Sequence, residues 1–175
     1  MSHQAVFVMD VEILNTPLKE IECEALMIPT SSQGLMNQSP GKTIKTIGGQ
    51  KIEDEIVDIA PIAIGAAAVT GSGKMKKIKQ IIHVPNRIKP EETARIENVR
   101  ISVHAALVAA NHLEIDSLAI PDPGPCANYI RNKEIARALV DEVRNFKEKY
   151  PAKVILVSEN KQIFKELNSF AFPKK

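Results

Sequence analysis

The fold is decided by one stretch of the sequence, Ser117-Leu-Ala-Ile-Pro-Asp-Pro-Gly-Pro-Cys-Ala-Asn-Tyr129. Its first four residues, Ser117–Ile120, form a short apolar run that is typical of a buried strand. The next segment, Pro121–Asn128, contains three prolines and one glycine, which predicts an irregular loop without helix or strand. Lys133–Lys149 then has apolar residues at helical spacing. This order places the loop at the carboxyl end of a sheet, where open α/β sheets bind ligands.

Length and composition predict one globular domain over residues 1–175, since 175 residues can bury a sizeable core. A net charge of +2 indicates no general attraction to nucleic acid or to a membrane surface. The sequence has neither an apolar run long enough to span a membrane nor the pattern of a signal peptide. Two cysteines, Cys23 and Cys126, imply no disulfide framework. We therefore expect a cytoplasmic protein that binds neither nucleic acid nor membrane.

Hydrophobic patterning predicts an α/β fold. The C-terminal half alternates helix and strand, which predicts parallel pairing with helices on both faces of a sheet. Pro29 and Pro85 are expected to end the strands that precede them, and the two strands around the turn at residues 71–74 are expected to pair antiparallel. The predicted strands are Ala5–Leu14, Ile21–Ile28, Gly65–Thr70, Ile78–Val84 and Lys153–Val157, and the other predicted helices are Lys42–Ile47, Gln50–Ile59, Glu91–Leu113 and Asn160–Phe170.

Isolated motifs indicate little specific chemistry. Gly41-Lys42-Thr43 follows a strand and opens a helix, as the end of a P-loop does, but Met36 stands where that motif needs glycine. Cys126 lies near a helix N-terminus, where a thiolate is stabilised, although a small loop residue is the simpler interpretation. The spacing of the histidines predicts no metal site, and we expect no cofactor. These histidines are His83, His104 and His112.

Several stretches resemble the macro domain, an ADP-ribose-binding fold. Gly65-Ala-Ala-Ala-Val-Thr70 and Ile81-Ile-His-Val-Pro85 are similar to the family's small residues ending in Thr and to its strand ending in Ile-His-x-Val. The helix Val99–Ala110 leads into Ser117-Leu-Ala-Ile-Pro121, which is similar to the family's Ser-Ile-Ala-Phe-Pro strand. Tyr129 resembles the aromatic residue that closes the family's glycine-rich loop. The resemblance implies a three-layer α/β/α fold with a mixed, largely parallel sheet.

The departures from the family fall on the ligand. The resemblance implies an Asp at the end of the first strand that holds the adenine amino group, but the nearest residues here are Asn15 and Pro17. The strand Ile21–Ser32 resembles the one that ends in Asn-x-x-Asn in the family. Here that motif becomes Ile28-Pro-Thr-Ser31, which lacks the amide that contacts the distal ribose and on which hydrolytic members depend.

The two loops that hold the diphosphate in the family are also altered. The glycine run becomes Asn37-Gln-Ser-Pro-Gly-Lys-Thr43, and the Thr-Gly-x-x-Gly core becomes Gly124-Pro-Cys-Ala-Asn128. Each loop keeps one glycine, and proline removes backbone donors from both. Because each charge-assisted hydrogen bond to a diphosphate contributes about 1.5–3 kcal/mol, these losses weaken binding. Lys42 and Thr43 at a helix N-terminus offset part of the loss.

The resemblance implies a protein that binds ADP-ribose or a related nucleotide. An alternative is a hydrolase of ADP-ribose esters or ADP-ribose 1″-phosphate, for which Asp122 and Cys126 are weak catalytic candidates. A second alternative is a macro-like domain without ligand that serves in assembly, which predicts a homo-oligomer whose interface covers the cleft. The expected ligand-binding residues are Asn15, Ser31, Ser32, Gly41, Lys42, Thr43, Gly124, Cys126, Ala127, Asn128 and Tyr129.

Overall fold

A computed structural model describes residues 8–174. Their strands form a single six-stranded sheet with the strand order β1-β6-β5-β2-β4-β3. All neighbouring strands are parallel except β3, which pairs antiparallel with β4. The predicted mixed, largely parallel sheet is therefore confirmed, including the antiparallel pair. The strands are β1 (Asp10–Leu14), β2 (Cys23–Ser31), β3 (Ala68–Gly71), β4 (Ile78–Arg87), β5 (Ser117–Pro121) and β6 (Lys153–Val157).

Helices cover both faces of this sheet, which confirms the three-layer α/β/α fold. One face packs against Ile44 of α1 and Ile56 of α2. The other face packs against α3, α4 and α5. Within residues 8–174, no helix has the length and apolar character that crossing a membrane requires. The helices are α1 (Gly41–Gly48), α2 (Lys51–Ile59), α3 (Ile96–His112), α4 (Asn132–Asn145) and α5 (Lys161–Ala171), with short 3-10 turns at Leu18–Glu20 and Gly124–Ala127.

Some predicted boundaries were wrong. The first strand begins at Asp10 rather than Ala5, although residues 5–7 lie outside the described part of the chain. The longest helix begins at Ile96 rather than Glu91, because the backbone N–H of Ala94 donates to the carbonyl of Cys126 at 2.8 Å. This bond holds the segment before α3 against the loop after β5. That loop, predicted to lack helix, contains the 3-10 turn Gly124–Ala127.

Three prolines lie inside strands, although Pro29 and Pro85 were expected to end their strands and Pro121 was expected to lie in the following loop. Pro29 belongs to β2, Pro121 to β5 and Pro85 to β4. The β2–β5 ladder ends where Leu26 pairs with Ala119, so Pro29 and Pro121 lie beyond it. Pro85 likewise lies beyond the last pair of the β3–β4 ladder. A proline nitrogen has no N–H to donate, and on the side without a neighbour no ladder bond is lost.

The early end of the β2–β5 ladder shapes the carboxyl edge of the sheet. Only two residue pairs, Ala25–Leu118 and Leu26–Ala119, join these central strands. After β2 the chain continues towards β4 and β3, and after β5 it continues towards β6. The two outgoing loops therefore leave in opposite directions. A crevice at such a point is where open α/β sheets bind ligands.

Asn160 caps α5. Its side-chain oxygen accepts hydrogen bonds from the backbone N–H groups of Gln162 at 2.9 Å and Ile163 at 3.2 Å. We expect Asn160→Ala to lower the free energy of unfolding by about 1 kcal/mol, because two N–H groups lose their acceptor. Urea denaturation measures this, with Asn145→Ala, at the exposed last residue of α4, as the control. An equal loss in the two variants would contradict the capping role.

Candidate functional site

A cavity of about 220 Å³, here called the central cavity, opens at the carboxyl edge of the sheet. Its walls come from four connections, which follow β1, β2, β5 and β6. The parallel arrangement brings the ends of these strands to one edge, which is why distant segments of sequence meet here. The lining residues are Thr16, Leu18, Ser39, Pro40, Thr43, Pro121, Asp122, Gly124, Val157, Ser158, Glu159 and Asn160.

Two further cavities adjoin the central one, and we call the three together the cleft. The outer cavity, about 550 Å³, also contains Lys42 and shares Thr43 and Glu159 with the central cavity. The lateral cavity, about 270 Å³, shares Gly124 with the central cavity and is also lined by Asn128. These volumes are in the range of sites for small ligands.

The loop after β2 and the loop after β5 touch at Gly124. This residue has φ +72°, and a β-carbon built on it would lie 2.5 Å from the carbonyl oxygen of Ser39. No side chain fits at that distance from a backbone atom, and positive φ itself favours glycine. At Gly124 and Ser39, the loop after β5 and the loop after β2 are therefore in direct van der Waals contact, with no room for a side chain between them.

The side chain of Asp122 links the segment after β5 to the segment after β6 by hydrogen bonds. One carboxylate oxygen accepts from the backbone N–H of Gly124 at 2.9 Å, and the other accepts from the hydroxyl of Ser158 at 2.5 Å. Both oxygens of this candidate catalytic group are thus already engaged. The geometry favours a role in holding the loop after β5 against β6 over a role in general acid–base chemistry.

Cys126 is only 5% exposed and lies beneath the loop after β5. Its thiol donates to the carbonyl of Pro123 at 3.2 Å and accepts from the Asn86 amide at 3.7 Å. Burial raises the pKa of the Cys126 thiol, and the nearby Arg87 and Asn86 offset this only in part. A buried neutral thiol is a poor nucleophile, so the structure favours packing over catalysis at this residue.

The other predicted site residues divide into two groups. The residues Lys42, Thr43, Gly124, Ala127 and Asn128 line the cleft.

The second group lies outside the walls of the cleft. Ser31, Ser32 and Gly41 are buried and line none of its three cavities. The Asn15 amide donates to the carbonyl of Ser158 at 2.8 Å and so ties the end of β1 to β6. Tyr129 is 60% exposed, and its hydroxyl donates to the carbonyl of Ala94.

The sequence analysis did not predict the network of buried hydrogen bonds around Arg87. The guanidinium donates to the Asn86 side-chain oxygen at 3.0 Å and to the carbonyl of Pro90 at 3.3 Å. Gln38 donates to the same carbonyl at 3.5 Å. Arg87 is 5% exposed, and no carboxylate of residues 8–174 lies within ion-pair distance of it. Its position shortly after the predicted strand Ile78–Val84 was the available signal.

The segment Ser158–Asn160 was also missed as part of the site. It follows β6, whose carboxyl end lies at the same edge as that of β5, so the topology alone could have indicated it. Glu159 is exposed, lines both the central and outer cavities, and makes no hydrogen bond or ion pair with a described residue. In the described part of the chain, no three His, Cys, Asp or Glu side chains are grouped so that they could hold a metal ion.

Comparison with known sequences gives a family match. Residues 29–138 match the Macro domain family. The chain is 35% identical over 155 residues to an uncharacterized protein of Aquifex aeolicus, covering 89% of this chain and 93% of the relative. It is 27% identical over 148 residues to an uncharacterized protein of Aeropyrum pernix, covering 85% of this chain and 78% of the relative.

Solved structures are similar in fold. A mutant macrodomain of Oceanobacillus iheyensis has a TM-score of 0.80 at 13% identity, covering 97% of this chain and 94% of its own. The macrodomain of Thermus aquaticus DarG has a TM-score of 0.72 at 17% identity, covering 85% and 97%. A Trypanosoma brucei macrodomain in complex with ADP has a TM-score of 0.78 at 13% identity, covering 92% and 68%.

Proposed function

The chain belongs to the macro domain family, and from this premise we propose that it binds ADP-ribose or a related nucleotide in the cleft. Macro domains generally bind ADP-ribose, and one structural neighbour carries ADP. The observation that carries the proposal is the position of the cleft, at the carboxyl edge where β2 and β5 diverge. That position supports ligand binding on fold grounds as well.

Lys42 and Thr43 supply the phosphate-binding chemistry of the proposed site. Both line the outer cavity in the first turn of α1, where the helix dipole favours an anion, although the backbone N–H of Lys42 already donates to the Gln38 carbonyl at 2.9 Å. Lys42 is exposed and forms no ion pair with any residue of 8–174. Its ammonium group is therefore available to a phosphate, and it replaces part of what the missing glycines would have donated.

Glu159 supplies the acceptor on the nucleoside side. It borders the central and outer cavities and has no partner among the described residues. The side-chain amide of Asn15, directly after β1, already donates a hydrogen bond to the carbonyl of Ser158. A free carboxylate at Glu159 accepts hydrogen bonds from the amino group of a base or from ribose hydroxyls. In this proposal Glu159 therefore takes over the acceptor role that Asn15 cannot fill.

Calorimetric titration with ADP-ribose tests the proposal. We expect binding heat at a single site, accompanied by a rise in melting temperature that grows with ligand concentration. Absence of both heat and thermal shift at millimolar ADP-ribose and millimolar ADP would refute nucleotide binding by this chain.

Lys42→Ala is expected to weaken nucleotide binding about tenfold, because a charge-assisted hydrogen bond to phosphate contributes about 1.5–3 kcal/mol. The same titration measures the change in Kd. Lys165→Ala, at an exposed position of α5 that lines none of the three cavities, is the matched control. Equal affinities of the Lys42 and Lys165 variants would remove Lys42 from the site.

A further inference from the structure

We propose that the ligand of this cleft ends at its phosphate groups, as ADP does, and that the packed network around Arg87 excludes a second ribose. This inference rests on the proposed function and names the ligand class more narrowly. It predicts that the protein prefers a nucleoside diphosphate to ADP-ribose.

The three cavities of the cleft do not reach the carboxyl ends of β2 and β4. The three cavities are bounded by the connections after β1, β2, β5 and β6 and by α1, α4 and α5. None of them is lined by Ser31, Asn86 or Arg87, the residues at the carboxyl ends of β2 and β4. Gly124 and Ser39 both line the central cavity and touch each other, so the loops after β5 and β2 are in contact at its wall.

The space around the carboxyl ends of β2 and β4 is filled by the chain itself. Ser31 and Asn86 have no exposed surface, and Met36 from the loop after β2 is also buried. Arg87 and Cys126 are each 5% exposed. By resemblance, Ser31 stands where the family contacts a distal ribose, but here its surroundings are occupied by protein atoms. A sugar with several hydroxyl groups needs both space and hydrogen-bond partners, and the packing leaves no space.

Hydrogen bonds hold this closure from both walls. Arg87 bonds Asn86, and Asn86 bonds the thiol of Cys126 in the loop after β5. The carbonyl of Pro90 accepts from Arg87 and from Gln38, which belongs to the loop after β2. To admit a sugar, the protein would have to break bonds of a buried cation that has no carboxylate partner among residues 8–174. Such a step is costly because a buried charge needs its hydrogen bonds.

The central and outer cavities suit a nucleotide that ends at its phosphate groups. Lys42 lines the outer cavity, and Ser39, Thr43 and Glu159 line both the outer and the central cavity. Acceptors for a nucleoside and donors for a phosphate thus lie together in these two adjoining cavities. With volumes of about 220 and 550 Å³, these two adjoining cavities offer room for a base, one ribose and its phosphates.

Parallel calorimetric titrations of the intact chain with ADP and ADP-ribose test the inference. We expect ADP to bind at least about tenfold more tightly, a difference of about 1.4 kcal/mol. ADP-ribose binding as tightly as ADP, or more tightly, would overturn the inference and leave the proposed function standing. Binding of neither would overturn both, so the two failures are distinguishable.

Arg87→Ala addresses the cause of the preference. Removal of the guanidinium opens space beside Ser31, so we expect the ratio of the Kd for ADP-ribose to the Kd for ADP to fall by about tenfold. Arg131→Ala, at an exposed arginine of the same region, is the matched control and should leave the ratio unchanged. An unchanged ratio in a folded Arg87→Ala protein would show that Arg87 does not exclude the second sugar. If this variant does not fold, the wild-type comparison of the two ligands still decides the inference.

Discussion

Gly124→Ala is expected to lower the free energy of unfolding by about 2–4 kcal/mol, since two unfavourable effects combine at this position. Gly124 has φ +72°, a region that a residue with a β-carbon enters only with strain. The new β-carbon would also lie 2.5 Å from the carbonyl oxygen of Ser39 and 3.3 Å from the Pro40 ring. The nearest atom belongs to the backbone, so the loop after β2 has to move to relieve the contact.

Gly65→Ala separates the two effects. Gly65 also has positive φ, +96°, but its nearest neighbour to a built β-carbon is the Ile101 side chain at an ordinary 3.6 Å. This variant carries the conformational strain alone, about 1–2 kcal/mol. Urea denaturation of both variants should show the larger loss for Gly124→Ala. Equal losses would mean that the two loops do not touch as the structure describes.

His83 is expected to make the protein about 2 kcal/mol less stable at about pH 5 than at about pH 7. The side chain is fully buried in β4, and burial lowers its pKa from 6.5 to about 3. Between those values the unfolded chain binds a proton at His83 and the folded protein does not. Because the unfolded state then holds more protons, the free energy of unfolding falls as the pH falls through this window.

Denaturation at the two pH values measures this change, and His83→Asn should reduce the difference between them. The His112→Asn variant, altered at an exposed residue of α3, serves as the control. Titration of the imidazole by NMR gives an independent readout, in which the resonances of His83 stay constant down to about pH 5. A normal histidine titration at His83 would contradict the neutral buried state in which its Nε2 lies 2.9 Å from the Thr70 hydroxyl.

Much of the fold could be predicted from the sequence because hydrophobic periodicity and turn residues are local signals. The apolar run at Ser117–Ile120 and the alternation of helix and strand around it indicated the parallel half of the sheet. The extent of β2 and β4 could not be predicted in the same way. Pro29 and Pro85 end a strand only where a neighbour still needs their N–H, and the place where a ladder stops depends on the tertiary structure.

The site was predictable as a location and less so as a set of residues. Loops at the carboxyl ends of parallel strands converge by topology, and Thr43 and Gly124 line the central cavity there, while their role in binding stays a prediction. The burial of Ser31 and Cys126, and the part played by Arg87, depend on which loops pack together, and no local pattern encodes that. The assembly hypothesis, the homo-oligomer and the cytoplasmic location remain predictions.

The short β2–β5 ladder also affects how the loops after β2 and β5 can evolve. Each wall of the cleft is supported by its own pairing, one by β2 with β4 and the other by β5 with β6. Substitutions that remodel one loop leave the opposite ladder intact, so the walls can diverge one at a time. Their shared constraint is the contact of Gly124 with Ser39. A side chain at position 124 can be accepted only together with a rearranged backbone at residues 39–40, so these two sites must change jointly.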